Sequence, residues 1–259
     1  MKKKILAMLM TATFVVGLLA GCSTPTSSVE DKDKKSDSAK SSDGNTLRYS
    51  VTAEPPTLDP QLANSIPSAT VCYHLFDTLM RNDSGDVKPA AAESYEISDD
   101  GLTYTFKLRE SYWSDGEKVK AQDFVYGIQR LEDPATASEY AFIGMIIKNA
   151  DKVNSGELPV EELGVSAPDE STVVITLEHP ASYFLAMLSN ASFAPTRQDL
   201  VEKYGKDFAA EPENNVYNGP FKVSKWAHGD RITLAKNDKY WDTDSIKLDE
   251  VEVLSQCYS

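Results

Sequence analysis

Along several short stretches of this chain apolar and polar residues alternate, and elsewhere apolar residues recur every three or four positions. Leu47, Tyr49 and Val51 alternate with polar neighbours and predict a strand. Glu54-Pro55-Pro56 ends it. Ser68 can cap a helix running to Met80, with Val71, Leu75 and Leu79 spaced by four on one face. Cys72 lies in that helix and reads as a buried thiol packing as a small hydrophobe. Asn82-Asp83-Ser84-Gly85 is a turn. Leu102, Tyr104, Phe106 and Leu108 alternate with Thr103, Thr105 and Lys107, and Asp100-Gly101 before them favours a hairpin with Tyr95-Glu96-Ile97.

Further on, Phe124, Val125, Ile128 and Leu131 place a helix across Ala121–Leu131, stopped by Asp133-Pro134. A second helix is predicted over Thr136–Ile147. Leu163-Gly164-Val165 and Thr172–Leu177 read as strands and Ser182–Leu188 as a short helix. Gln198–Tyr204 is a helix closed by Gly205. Phe221–Trp226, Arg231–Ala235 and Leu248–Leu254 are strands. The pattern is α+β, or mixed α/β, without a regular βαβ alternation.

Composition sharpens this picture in three ways. Hydrophobic residues make up 41% of the 259 residues, enough for a packed core. The formal charge of −14 opposes binding to phosphate backbones, so nucleic acid is not an expected partner. Three cysteines are too few for a disulfide-built scaffold.

The N-terminus has its own logic. Lys2, Lys3 and Lys4 precede an uncharged, mostly apolar run from Ile5 to Ala20, which has the pattern of a secretory signal. Residues 1–21 are therefore expected to be a signal peptide. Residues 23–45 are rich in Ser, Lys and Asp, with Val29 as the single large apolar side chain. Such a stretch cannot bury enough surface to fold and reads as a tether, so folding is expected from residue 46 onward.

No catalytic or metal-binding pattern stands out. His74, His179 and His228 form no ligand pair, and His74 reads as a packed, hydrogen-bonded helix residue. No nucleophile elbow, Walker loop or dinucleotide-binding glycine pattern occurs. With 40 acidic residues a glycosidase-like carboxylate pair always remains conceivable, and nothing singles one out. The expectation is a protein that is not an enzyme and carries no cofactor or metal.

Leu19-Ala20-Gly21-Cys22 resembles a bacterial lipobox. Four further blocks carry a family resemblance. Glu54-Pro55-Pro56-Thr57-Leu58-Asp59-Pro60 is followed by Leu75-Phe76-Asp77-Thr78-Leu79. Asp100–Arg109 is followed by Trp113-Ser114-Asp115-Gly116. Ala121-Gln122-Asp123-Phe124-Val125-Tyr126 leads to Asp133-Pro134-Ala135-Thr136-Ala137-Ser138-Glu139-Tyr140-Ala141. Tyr217-Asn218-Gly219-Pro220-Phe221 is followed by Asn237–Asp242. In this order they resemble the extracytoplasmic solute-binding proteins of peptide ABC importers, of the oligopeptide-binding type, across about residues 46–254.

The resemblance implies a periplasmic-binding-protein-like lobe carrying an inserted small strand-rich subdomain, roughly residues 77–200, in a protein that closes two lobes around an extended peptide. It implies lipidation of Cys22, anchoring to the cell membrane of a bacterium of Gram-positive type, and delivery of peptide to an ABC permease. The backbone of Asn64, Ser65 and Ile66 matches the segment that pairs with peptide, although the family often has an acid where Asn64 stands. Tyr140 matches a tyrosine lining the cleft; helical spacing reads it equally well as packing beside Phe142 and Ile143. Trp113 reads as structural. Family members continue past the strand Leu248–Leu254, whereas Ser255-Gln256-Cys257-Tyr258-Ser259 looks unrelated to them. The resemblance therefore predicts a truncated product with the second lobe absent and weak peptide binding. A peptide-sensing or adhesive surface lipoprotein, and a dipeptide or nickel-chelate binder, stay open as alternatives.

Overall fold

The computed structural model describes residues 44–255; the expected signal, most of the tether, Cys22 and Cys257 lie outside them. Ten strands and five α-helices follow one another as β1 (Thr46–Val51), α1 (Ile66–Leu75), β2 (Met80–Asp83), β3 (Asp86–Pro89), β4 (Ala92–Ile97), β5 (Thr103–Leu108), α2 (Ala121–Glu132), α3 (Ala150–Asn154), β6 (Val165–Asp169), β7 (Thr172–Thr176), α4 (Phe184–Met187), α5 (Gln198–Tyr204), β8 (Phe221–Ala227), β9 (Arg231–Lys236) and β10 (Glu250–Ser255). The outcome is the expected mixture of α and β.

Two four-stranded sheets organise the chain. In the first, of order β1-β10-β9-β8, the first and last strands run parallel, with Thr46 opposite Glu250 and Val51 opposite Ser255. The other pairs in that sheet are antiparallel. Val251, Val253, Ile232 and Leu234 supply its buried side, which is why β9 and β10 alternate so clearly. The second sheet, β4-β5-β7-β6, is wholly antiparallel and drawn from the chain between β1 and β8. Tyr104, Phe106, Val173 and Ile175 are its buried positions. Helix α2 covers this sheet with Phe124, Val125, Ile128 and Leu131. Each of these side chains contributes about 1.5–3 kcal/mol by leaving water.

Two helix expectations need correction. Helix α1 starts at Ile66 with Ser65 as its cap; the Ser65 hydroxyl accepts the Ser68 N–H at 3.2 Å, and Pro67 is tolerated in the first turn, where its missing N–H costs nothing. It also ends five residues earlier than expected. The Gly219 N–H donates to the Leu75 carbonyl, and Asn218 brackets Asp77 by accepting its N–H and donating to its carbonyl. These tertiary bonds hold Phe76 extended, and Met80 begins a hairpin instead. Gly219 is needed there, because a Cβ would stand 2.6 Å from the Leu75 carbonyl carbon. The helix expected over Thr136–Ile147 is only a single 3₁₀ turn at Ala141–Ile143. Ala137 takes a left-handed φ of 54°, and the Ser138 hydroxyl is turned back to Gln61, so the α-helical ladder cannot form.

Cys72 and Trp113 are buried as expected, the indole N–H donating to Asp123 at 3.0 Å. His74 packs against Phe221 and lies 3.1 Å from the Tyr49 hydroxyl; burial lowers its pKa, as suits a neutral core imidazole.

Candidate functional site

The loop between β1 and α1 carries Asn64, Ser65 and Ile66, and a buried polar knot holds it in place. Arg130 of α2 grips Asp59 bidentately, with both N–O distances 2.6 Å. The same guanidinium donates to Gln61 Oε1 at 3.0 Å, which also accepts from Thr196 Oγ1 at 2.8 Å. Gln61 Nε2 donates to the carbonyls of Ser192 and Ala194. Asp59 and Gln61 are almost wholly buried, so every partner matters: an unpaired buried charge would be costly.

The knot brings three segments side by side. Ser138 Oγ donates to the Gln61 carbonyl at 2.6 Å, and Asn64 Nδ2 donates to Glu139 Oε2 at 3.0 Å. Tyr140 therefore stands next to the Asn64–Ile66 loop. It is half-buried, its ring 5.4 Å from that of Phe142. Tyr73 of α1 completes the group. Burial raises the pKa of its hydroxyl, the Ala191 backbone opposes that rise, and the adjacent Tyr140 hydroxyl adds to it. Ile66, Tyr73 and Phe142 are 83%, 52% and 65% exposed, an apolar patch open to solvent.

The backbone of this wall leaves several groups unpaired. Ser65 is extended, at φ −115° and ψ 152°. Among the described residues no hydrogen bond uses the N–H groups of Ser65 and Ile66 or the carbonyls of Ala63 and Asn64. The loop thus presents donors and acceptors in nearly strand-like geometry beside exposed rings. Such an edge can pair with another extended chain whatever its side chains.

The resemblance singled out Asn64–Ile66 and Tyr140 for the site and did not single out Asp59, Gln61, Arg130, Ser138, Glu139 or Tyr73. Arg130 carried a usable signal, being a charge set beside the apolar face of α2. The wall is open-sided. A cavity of about 510 Å³ lies beyond it, lined by Tyr73, Asp77, Arg81, Ser189, Tyr240 and Ile246. Among the described residues there is no cluster of three or more His, Cys, Asp or Glu side chains suited to a metal ion, and no helix long and apolar enough to cross a membrane.

Comparison with known proteins identifies the family to which this fold belongs. Residues 86–255 match the family described as bacterial extracellular solute-binding proteins, family 5 middle region, and the chain belongs to that family. It is 36% identical to the dipeptide-binding protein DppE of Bacillus subtilis over 223 residues, 85% of this chain and 41% of DppE. The substrate-binding domain of an oligopeptide ABC transporter from Bacillus anthracis superposes with a TM-score of 0.80 at 41% identity, covering 82% of this chain and 42% of that one. Listeria monocytogenes OppA bound to peptide gives a TM-score of 0.80 at 34% identity, covering 83% of this chain and 43% of the other. The chain thus spans about two fifths of the length of the relatives it matches.

Proposed function

We propose that this chain contributes one wall of a peptide-binding site and serves peptide uptake through an ABC permease. The observation that carries the proposal is the extended Ser65, with the N–H groups of Ser65 and Ile66 and the carbonyls of Ala63 and Asn64 unpaired among the described residues, beside Tyr73, Tyr140 and Phe142. Backbone pairing gives sequence-tolerant affinity, and the aromatic patch accepts varied side chains. The similarity to a dipeptide-binding protein and to peptide-bound OppA supports the same reading. The opposing wall would come from the part of the relatives' length that this chain does not span, so one wall alone should hold peptide weakly.

The same reading divides the chain into a signal peptide at 1–21, a lipid-bearing Cys22 with a tether to residue 45, and a lobe from residue 46 with its inserted subdomain. The support for the anchor is the Leu19-Ala20-Gly21-Cys22 pattern after an apolar run.

Saturation-transfer NMR on the full chain tests the binding claim. Magnetisation should pass to Ala-Ala-Ala and to longer alanine peptides at millimolar concentration, and not to a sugar of similar size. Absence of transfer to every peptide would overturn the proposal.

A further inference from the structure

The three segments of the wall are residues 61–67, 138–143 and 189–194. Across all of them one side chain carries a carboxyl, amine or guanidine group, and it is Glu139. Its carboxylate does not point at random. Asn64 Nδ2 donates to Oε2 at 3.0 Å, and the residue before it is pinned through Ser138 Oγ to the Gln61 carbonyl. Among the described residues no lysine, arginine or histidine pairs with it, although fourteen other ion pairs form in the same protein. A carboxylate held by an amide, left without a counter-ion and flanked by exposed rings has the chemistry of a receptor for a cation.

We propose that Glu139 gives this wall a preference for peptides carrying an ammonium or guanidinium group, with Asn64 as its positioning residue. The inference rests on the peptide-binding reading above. Glu139 Oε1 makes no hydrogen bond among the described residues, so a cation can take it without displacing the Asn64 contact. Asn64 itself brings no charge, so the negative end of the site comes from the neighbouring segment.

Three tripeptide amides separate the sources of the cation: Ala-Ala-Ala-amide carries it at the amine, acetyl-Ala-Lys-Ala-amide on a side chain, and acetyl-Ala-Ala-Ala-amide lacks it. Titrations of the full chain would follow the amide signals of Ser65 and Ile66. At least one cationic peptide should bind about three- to tenfold more tightly than the neutral one, as expected for an exposed charge-assisted contact. Glu139→Gln should bring it to the neutral peptide's level, Glu139→Asp should keep part of the preference, and high salt should weaken it in the unaltered chain. Equal binding of all three peptides, or a preference that survives Glu139→Gln, would overturn this proposal while leaving peptide binding intact. No signal from any peptide would overturn the peptide reading and this one with it.

Discussion

Glu132 shows how much one side chain can decide. It ends α2 fully buried, and neither carboxylate oxygen has a hydrogen-bond partner. Gly144 lies against it, and a Cβ there would fall within bonding distance of Glu132 Oε1. Burial pushes the Glu132 pKa up to about 8, so the carboxyl is neutral in the folded protein near pH 7. The folded state holds a proton that the unfolded chain releases near its ordinary value, so the contribution of this group is complete at low pH. It is lost as the pH rises through about 8. Glu132→Gln has no proton to lose. Urea unfolding midpoints at pH 5 and pH 8 should differ less in the variant, which should be the more stable protein at pH 8 by ~3 kcal/mol. An unchanged slope would show that the carboxylate finds water or a partner. None of this was legible in the sequence, where Glu132 follows Leu131 as an unremarkable acid before a helix stop. Only the closure of the 141–144 turn over the end of α2 seals it from water. Cys72 was legible, because its position on the apolar side of α1 already placed it inside.

At the scale of elements, strands were easier to read than helices. β5, β9 and β10 alternate cleanly because each has one buried side, and their limits agree closely with the expectation. The two helix corrections share one cause: groups distant in sequence hold these segments away from a helical path. Asn218 and Gly219 bond the backbone at the end of α1, and the Gln61 carbonyl accepts the Ser138 hydroxyl. Elements are also tied together by charge. His228, in the hairpin between β8 and β9, has Nδ1 2.6 Å from Glu54 and Nε2 3.3 Å from Glu211, while its ring lies against Trp226. Glu54 belongs to the loop that leads into the candidate wall, and it also accepts the Trp226 indole N–H and the Gly229 backbone N–H. The Glu54 contact, followed by Glu211, raises the His228 pKa. Burial pushes Glu54 upward, but its bonds to His228, Gly229 and Trp226 outweigh that and leave it lowered. The histidine's contribution is present below its ordinary value near 6.5 and is lost as the pH rises through its raised pKa; the glutamate's is lost as the pH falls through its lowered one. The clasp is therefore strongest in mildly acidic solution. His228→Gln should lower the melting temperature by about 1–2 °C near pH 6 and by less near pH 9. A difference that grows with pH would contradict the clasp.

For the molecule as a whole, the resemblance anticipated the family and the mixed architecture. Sequence order alone could not show that β1 and β10 close one sheet in parallel, since nearly the whole chain separates them. That closure fixes where the β1–α1 loop emerges, and the Asp59–Arg130–Gln61 knot then turns the loop toward Tyr140. The peptide-facing role proposed for Asn64–Ile66 rests on resemblance at the level of sequence, because a short polar loop before a helix has no periodicity of its own. What the structure adds is a physical basis for that proposal: Ser65 is extended, the loop is rigidly backed, and the Ser65 and Ile66 N–H groups are unpaired among the described residues. The account is tested most directly by photo-crosslinking the full chain with an alanine tetrapeptide carrying a benzophenone side chain, followed by mass spectrometry of the labelled fragments. Label should concentrate in residues 61–67, 138–143 and around Tyr73, and excess unlabelled peptide should compete it away. Label confined to other surfaces, such as the β8–β9 hairpin, would contradict the account.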